Sequence, residues 1–127
     1  MAHHKPGPKN LITDVTGITV GNAIDAQVRT GVSVVLPTPR AVAAVDVRGG
    51  GPGSRETDAL DPENLVQEID AIVLSGGSVY GLDAASGVVG WLAGQGRGVT
   101  CASSNKVAPM GPAATLFDLT TGGDKEW

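Results

Sequence analysis

Apolar and polar positions alternate in LITDVTGITVGNA, Leu11 to Ala23, around Gly17. That period of two predicts a hairpin or a bent edge strand with one wet face. Two more β-rich runs follow, GVSVVLP (Gly31 to Pro37) and AVAAVDVRGG (Ala41 to Gly50), joined by Thr38-Pro39-Arg40; they predict a second hairpin. Asp61-Pro62-Glu63 then sets an N-cap, an N1 proline and an acidic first turn in order, the start signals of a short helix through Ile69. DAIVLSGG, Asp70 to Gly77, is continuously apolar in the manner of a strand buried on both faces. From Val79 to Ala93 the period changes, and Leu82, Ala85, Val89 and Leu92 form one stripe at helical spacing. Gly81, Gly87 and Gly90 interrupt that helix, each at a cost of roughly 0.5–1 kcal/mol relative to Ala. Such a helix is expected to lie tightly against a sheet. GQGRG stops it, VTCASS predicts another strand, and PMGPAATLFDLTTGG a turn followed by a final strand.

Composition narrows this to a class. Of 127 residues 41% are hydrophobic and 17% charged, which suits one globular domain or part of one. Aromatics make up only 3% while Gly reaches 19 residues, so the core is expected to be Val, Ala, Leu and Ile with backbones in close approach, as in a layered α/β fold. The net charge of −4 and the scattered Lys and Arg leave no footprint for nucleic acid or an anionic membrane. A single cysteine, Cys101, excludes an internal disulfide and a cysteine-based zinc site, and fits a reducing compartment. No run reaches the roughly 18 apolar residues of a membrane span, and residues 1–10 lack the apolar core of a secretory signal. A cytoplasmic protein is expected. Residues 1–10 themselves, rich in Pro and Gly, predict a flexible arm, and His3 and His4 within it read as a solvated tail rather than a metal site. Neither a cofactor nor a metal is expected.

The candidate chemistry gathers at two glycine clusters. Around Ser78 the chain runs Gly76, Gly77, Ser78, Val79, Tyr80, Gly81. A nucleophile elbow needs a second glycine where Tyr80 stands, and a base, whereas both histidines lie in the arm. A dinucleotide fingerprint needs glycine where Ser78 stands, a P-loop needs Lys where Leu82 stands, and Asp83 in the first turn would repel phosphate. The plainer reading is a tight strand-to-helix turn in which Ser78 caps the helix. The second cluster, DVRGGGPGSRETDALDPEN from Asp46 to Asn64, is either an ordinary solvated loop or a functional one. In the functional reading Gly50 lets backbone approach a ligand, and Arg48 and Arg55 hold a carboxylate or fix a partner strand.

Taken in order, LITDVTGITVGNA, GVSVVLP, VAAVDVRGGGPGSRETDALDPEN, IDAIVLSGGSVYGLDAASGV and PAATLFDLTTGGDKEW resemble the DmpA-type peptidases, a family that includes L-aminopeptidase/D-esterases, β-peptidyl aminopeptidases and nylon-oligomer hydrolases. The resemblance runs from about Leu11 to Trp127. It implies an α/β fold of four layers, an α-β-β-α sandwich shared with ornithine acetyltransferase, incomplete in this chain. It also implies a precursor that cuts itself before a Ser or Thr, which then serves as nucleophile with its own α-amine as base. That segment lies beyond Trp127 in the family, so residues 11–127 are expected to be the N-terminal portion of the first subunit, inactive alone, with no catalytic residue of its own. Its implied partners are the remaining segment of the same precursor, further copies of itself, and a small peptide or amide substrate. By the same resemblance an oxyanion-site tyrosine of the aminopeptidases stands at Phe117, and the acid that receives the substrate ammonium stands at Thr115. Phe117 has no hydrogen to donate and Thr115 no charge, so an amidase or esterase acting on another small amide stays open. Both residues are expected either as pocket walls or as core residues of an inner strand, with Tyr80 at the pocket edge. Two other readings stand beside this one: a non-catalytic remnant that associates with itself, and a small-ligand binding domain built on the glycine loops.

Overall fold

The structure, a computed structural model, describes residues 4–100 and 102–125. Strand β1 (Ile18–Asp25) and strand β2 (Thr30–Pro37) form the hairpin, one turn later than the alternation around Gly17 predicts. Gly17 instead turns the chain into β1 at positive φ, where a side chain would overlap the carbonyl oxygen of Thr38. The hairpin turn is set by Asp25, whose Oδ1 accepts from the backbone N–H of Gln27 and of Val28, both at 2.9 Å.

Gly31 to Pro37 does not pair with Ala41 to Gly50. The other edge of β2 is taken by β6 (Ile72–Ser75), and the chain leaves the sheet at Pro37 and Pro39, which have no N–H to offer a ladder. Two-residue strands β3 (Ala41–Val42) and β5 (Glu68–Ile69) pair apart from the main sheet. Arg40 fixes that departure. Its Nε lies 3.0 Å from Oδ1 of Asp70, a carboxylate with no exposed surface, whose Oδ2 accepts from the Met110 N–H at 2.9 Å. Arg97 closes the same junction by donating to the carbonyl of Pro37 at 2.8 Å.

The helix expected at Asp61 does not form. Asp61 Oδ1 accepts from the Glu63 N–H at 3.1 Å, and the Asn64 side chain donates to the Asp58 carbonyl at 2.6 Å. Together they close a turn after the 3₁₀ segment Asp58–Leu60. Ile69 is drawn into β5 and buried there while Leu65 is left 99% exposed, so the apolar positions of the segment are not gathered on one helical face.

The main sheet has the order β1-β2-β6-β9-β4, with β9 (Ala113–Thr115) parallel to β6 and β4 (Ser54–Arg55) antiparallel at the edge. Short helix α1 (Ser78–Gly81) and helix α2 (Ala84–Gly94) cover one face, where Val73, Ala85 and Ala113 form the core with Val32, Ala84 and Val88 around them. The single helix expected over Val79 to Ala93 is broken at Leu82 and Asp83 into α1 and α2, while its apolar stripe stays on the inner side, Ala85 and Leu92 fully buried and Leu82 and Val89 half-buried. Gly81 explains how close the helix comes: a Cβ there would overlap the carbonyl oxygen of Gly76, while its own carbonyl accepts from Ser75 Oγ at 2.8 Å. Strands β7 (Val99–Thr100) and β8 (Val107–Ala108) make a separate hairpin. Cys101, within the predicted VTCASS strand, lies outside the described residues, as does His3.

One expectation is corrected in a way that matters for function. β6 is buried on one face only: Val73 and Ser75 are buried, whereas Leu74 is 47% exposed and Ile72 half-buried. Register places Ser33, Val35, Ile72, Leu74 and Ala114 on this second face. The described residues therefore make a mixed α/β unit with one helical layer, one mixed sheet and an open apolar face. No helix among them is long and apolar enough to cross a membrane.

Two substitutions test the packing. Arg40→Ala strips the buried Asp70 of its cation and is expected to cost about 3 kcal/mol in urea unfolding. Gly81→Ala forces α1 off its turn and is expected to cost roughly 1–3 kcal/mol by the same measurement.

Candidate functional site

Two cavities of about 410 Å³ each sit on the open face of the sheet, and Leu74, Ala114 and Thr115 line both. The first lies under the glycine-rich chain between Ala43 and Ser54, and its lining is mainly apolar. Gly53 lets that chain approach β9. The Thr115 N–H donates to its carbonyl at 2.8 Å, and a Cβ on Gly53 would overlap the Thr115 hydroxyl. The second cavity lies at the other end of β6 and β9, walled by Gly31, Ser33, Gly76, Leu116 and Asp118.

The residues singled out from the sequence separate here. Thr115 and Arg48 line the first cavity together. Arg48 is exposed and paired with Asp46, Nε to Oδ2 at 2.7 Å, so the two charges cancel at the cavity rim and add little stability. Gly50 is exposed in the same loop with no atom within 4 Å of where a Cβ would stand. Arg55 points to the helical face, donating to the Leu82 carbonyl at 3.2 Å and to Ser86 Oγ at 2.8 Å, so it ties β4 to the start of α2. Phe117 is 69% exposed just past β9 and Tyr80 is exposed on α1.

Ser78 does not cap its helix. It takes φ +54 directly after Gly77 at φ +85, no side-chain cap bond forms, and its N–H donates to the Leu116 carbonyl at 3.0 Å. The turn is held instead by Asp118, which carries no sequence signature because its partners are far away in the chain. Oδ1 accepts from the Gly77 N–H at 2.8 Å, Oδ2 accepts from Thr30 Oγ1 at 2.7 Å, and Lys125 Nζ stands 3.6 Å from Oδ1. The Thr30 hydroxyl, then the Gly77 N–H, and after them the Lys125 ammonium hold this carboxyl below its ordinary value, against the opposing effect of desolvation.

Serine, threonine and backbone groups, the Arg48–Asp46 pair and the Asp118 carboxylate surround apolar walls, and His4, the histidine among the described residues, lies exposed in the arm. No group of three or more metal-ligating side chains gathers among the described residues.

Residues 10–127 match the model of Peptidase family S58. A protein of Mycobacterium tuberculosis (strain ATCC 25618 / H37Rv) named as an uncharacterized aminopeptidase is 52% identical over 122 residues, covering 90% of this chain and 35% of the relative. A likewise named protein of Mycobacterium leprae (strain TN) is 49% identical over 123 residues, covering 91% and 33%. The chain spans about a third of the length of the curated relatives it matches.

The depressed Asp118 fixes a pH dependence. Its stabilising contribution is complete above the unfolded carboxyl value near 3.8 and is lost as pH falls through the lower folded value. The gap in melting temperature between the wild type and Asp118→Asn is therefore expected to be widest near neutral pH and to close below about pH 4, as read by thermal unfolding across pH.

Proposed function

The chain belongs to peptidase family S58, the DmpA family, and from that premise we propose that it is the amino-terminal portion of a self-processing hydrolase that cleaves amide bonds in small peptides or related compounds. Self-cleavage frees a Ser or Thr in a segment outside residues 1–127. The freed α-amine takes the hydroxyl proton as the oxygen attacks the substrate carbonyl, returns it to the nitrogen of the departing amine, and then deprotonates the water that releases the acyl group and restores the hydroxyl. Thr115 serves in this reading as an uncharged wall of both cavities rather than as an ammonium acceptor, and Phe117, exposed just past β9 and outside both linings, has no hydrogen to donate to an oxyanion.

The observation that carries the proposal is the open sheet face. Parallel strands such as β6 and β9 are ordinarily covered on both sides, and here Leu74 stands 47% exposed between two cavities. A second sheet from the remaining segment, stacked at about 10 Å, would bury Leu74 and Ile72 and convert the cavities into an enclosed pocket, completing a four-layer sandwich. The same face supports the second reading, a remnant whose exposed strands associate with one another.

The full-length gene product is expected to appear by intact mass as two polypeptides, the second beginning with Ser or Thr, and to hydrolyse amino-acid anilides. A single uncut, inactive chain would sink the hydrolase. Residues 1–127 alone, 12.7 kDa, are expected to scatter light as an oligomer; a monodisperse monomer with a cooperative melt would count against an uncovered face.

A further inference from the structure

The backbone ladder joining β2, β6 and β9 has its last rungs at one end of the sheet: the Gly76 N–H donates to Gly31, and the Leu116 N–H to Ser75, each at 2.9 Å. Beyond them the chain carries Leu116 and Phe117, both mostly exposed, so burial does little to hold this segment. Asp118 sits at that point and joins three distant stretches, accepting from Thr30 at 2.7 Å and Gly77 at 2.8 Å while Lys125, its ammonium buried, donates to Thr121 Oγ1 at 3.1 Å and to the Asp118 carbonyl. Space there is tight. A Cβ on Gly76 would overlap both the Thr30 hydroxyl and the Asp118 carboxylate. Gly31, Gly76, Thr115, Leu116 and Asp118 are at the same time walls of the second cavity.

We infer that Asp118 is a positioning residue for the substrate cavity: its carboxylate, bridging Thr30 and Gly77, holds residues 115–118 at the spacing from the Gly76–Gly77 turn that substrate binding requires. The inference rests on the hydrolase reading above. Asp118 itself takes no part in the chemistry. Asp118 borders the cavity, but its two carboxylate oxygens are occupied by Thr30 and Gly77, so its effect passes through the wall formed by Thr115 and Leu116 and falls on binding rather than on the reacting atoms.

The test uses the full-length protein and steady-state hydrolysis of an amino-acid p-nitroanilide. Asp118→Ala removes the bridge. Thr30→Val removes one arm of it with almost no change of shape, and Thr30→Ser restores the hydroxyl. Asp118→Ala and Thr30→Val are expected to raise KM roughly tenfold and severalfold with kcat changed less than about twofold, while Thr30→Ser stays at the wild-type value. A merely structural role would lower the melting temperature and the active fraction and leave KM alone. Unchanged KM in Thr30→Val, with an active wild type, overturns the assignment of Asp118 and leaves the hydrolase standing. An inactive wild type overturns both. Where Asp118→Ala does not fold, the Thr30 pair decides.

Discussion

A carboxylate with no exposed surface has to be answered where it lies, because the cost of an unpaired buried charge exceeds what most single contacts return. Asp70 is answered by Arg40 on one side and the Met110 N–H on the other, and its own N–H donates to the Met110 carbonyl at 2.8 Å. Those bonds bring the chain before β9 alongside the chain before β6. Since Ala113 follows Met110 by only three residues, the two strands then have little choice but to run parallel in the register Val73 opposite Ala113. The same pairing draws Arg40 out of the sheet, so the residues after it cross the open face as a cavity wall instead of extending β2. One buried acid thus sets both the central strand pair and the loop above it.

The two faces of that pair then diverge in character. On the helical side Val73, Ala85 and Ala113 pack closely, because Gly81 and Ser75 allow α1 to sit on the turn. On the other side Leu74 and Ala114 stand in a row with no helix or second sheet above them among the described residues, only the loop between Ala43 and Ser54 at one end. Strands this short hold position through their ends more than through their ladders. Asp70 secures the first end and Asp118 the second, and the cavities lie between these two anchors. A carboxylate suits both places, since it accepts from several donors at once and orients each of them.

Periodicity reported local packing faithfully and long-range pairing poorly. The stripe of α2 was legible because Ala85 and Leu92 are both buried; of the three glycines, only Gly81, in α1, makes the close contact expected, Gly87 and Gly90 being exposed with open space where a Cβ would stand. β6 looked doubly buried since Leu74 and Ile72 are as apolar as Val73, and hydropathy does not say which face a partner covers. The helix at Asp61 had good start signals and apolar Leu65, Val66 and Ile69 at helical spacing, but Ile69 is buried in β5 instead, and Asp61 and Asn64 used their side chains to close a turn. Ordered motifs over nearly the whole chain were enough to reveal the family. They left Asp118 invisible, because its partners Thr30 and Gly77 are 88 and 41 residues away.

Ser78 shows how a local feature can point the wrong way. A serine at φ +54 on a strand-to-helix turn has the backbone of an exposed nucleophile, and a non-glycine residue held there costs on the order of 1–3 kcal/mol. Such strain invites a catalytic explanation. Here a structural one is sufficient: the strained conformation directs the Ser78 N–H to Leu116 and the Gly77 N–H to Asp118, two bonds that fasten the turn to the far end of β9. One of them ends on an ionised carboxylate and is correspondingly strong. The strain is offset by what it connects.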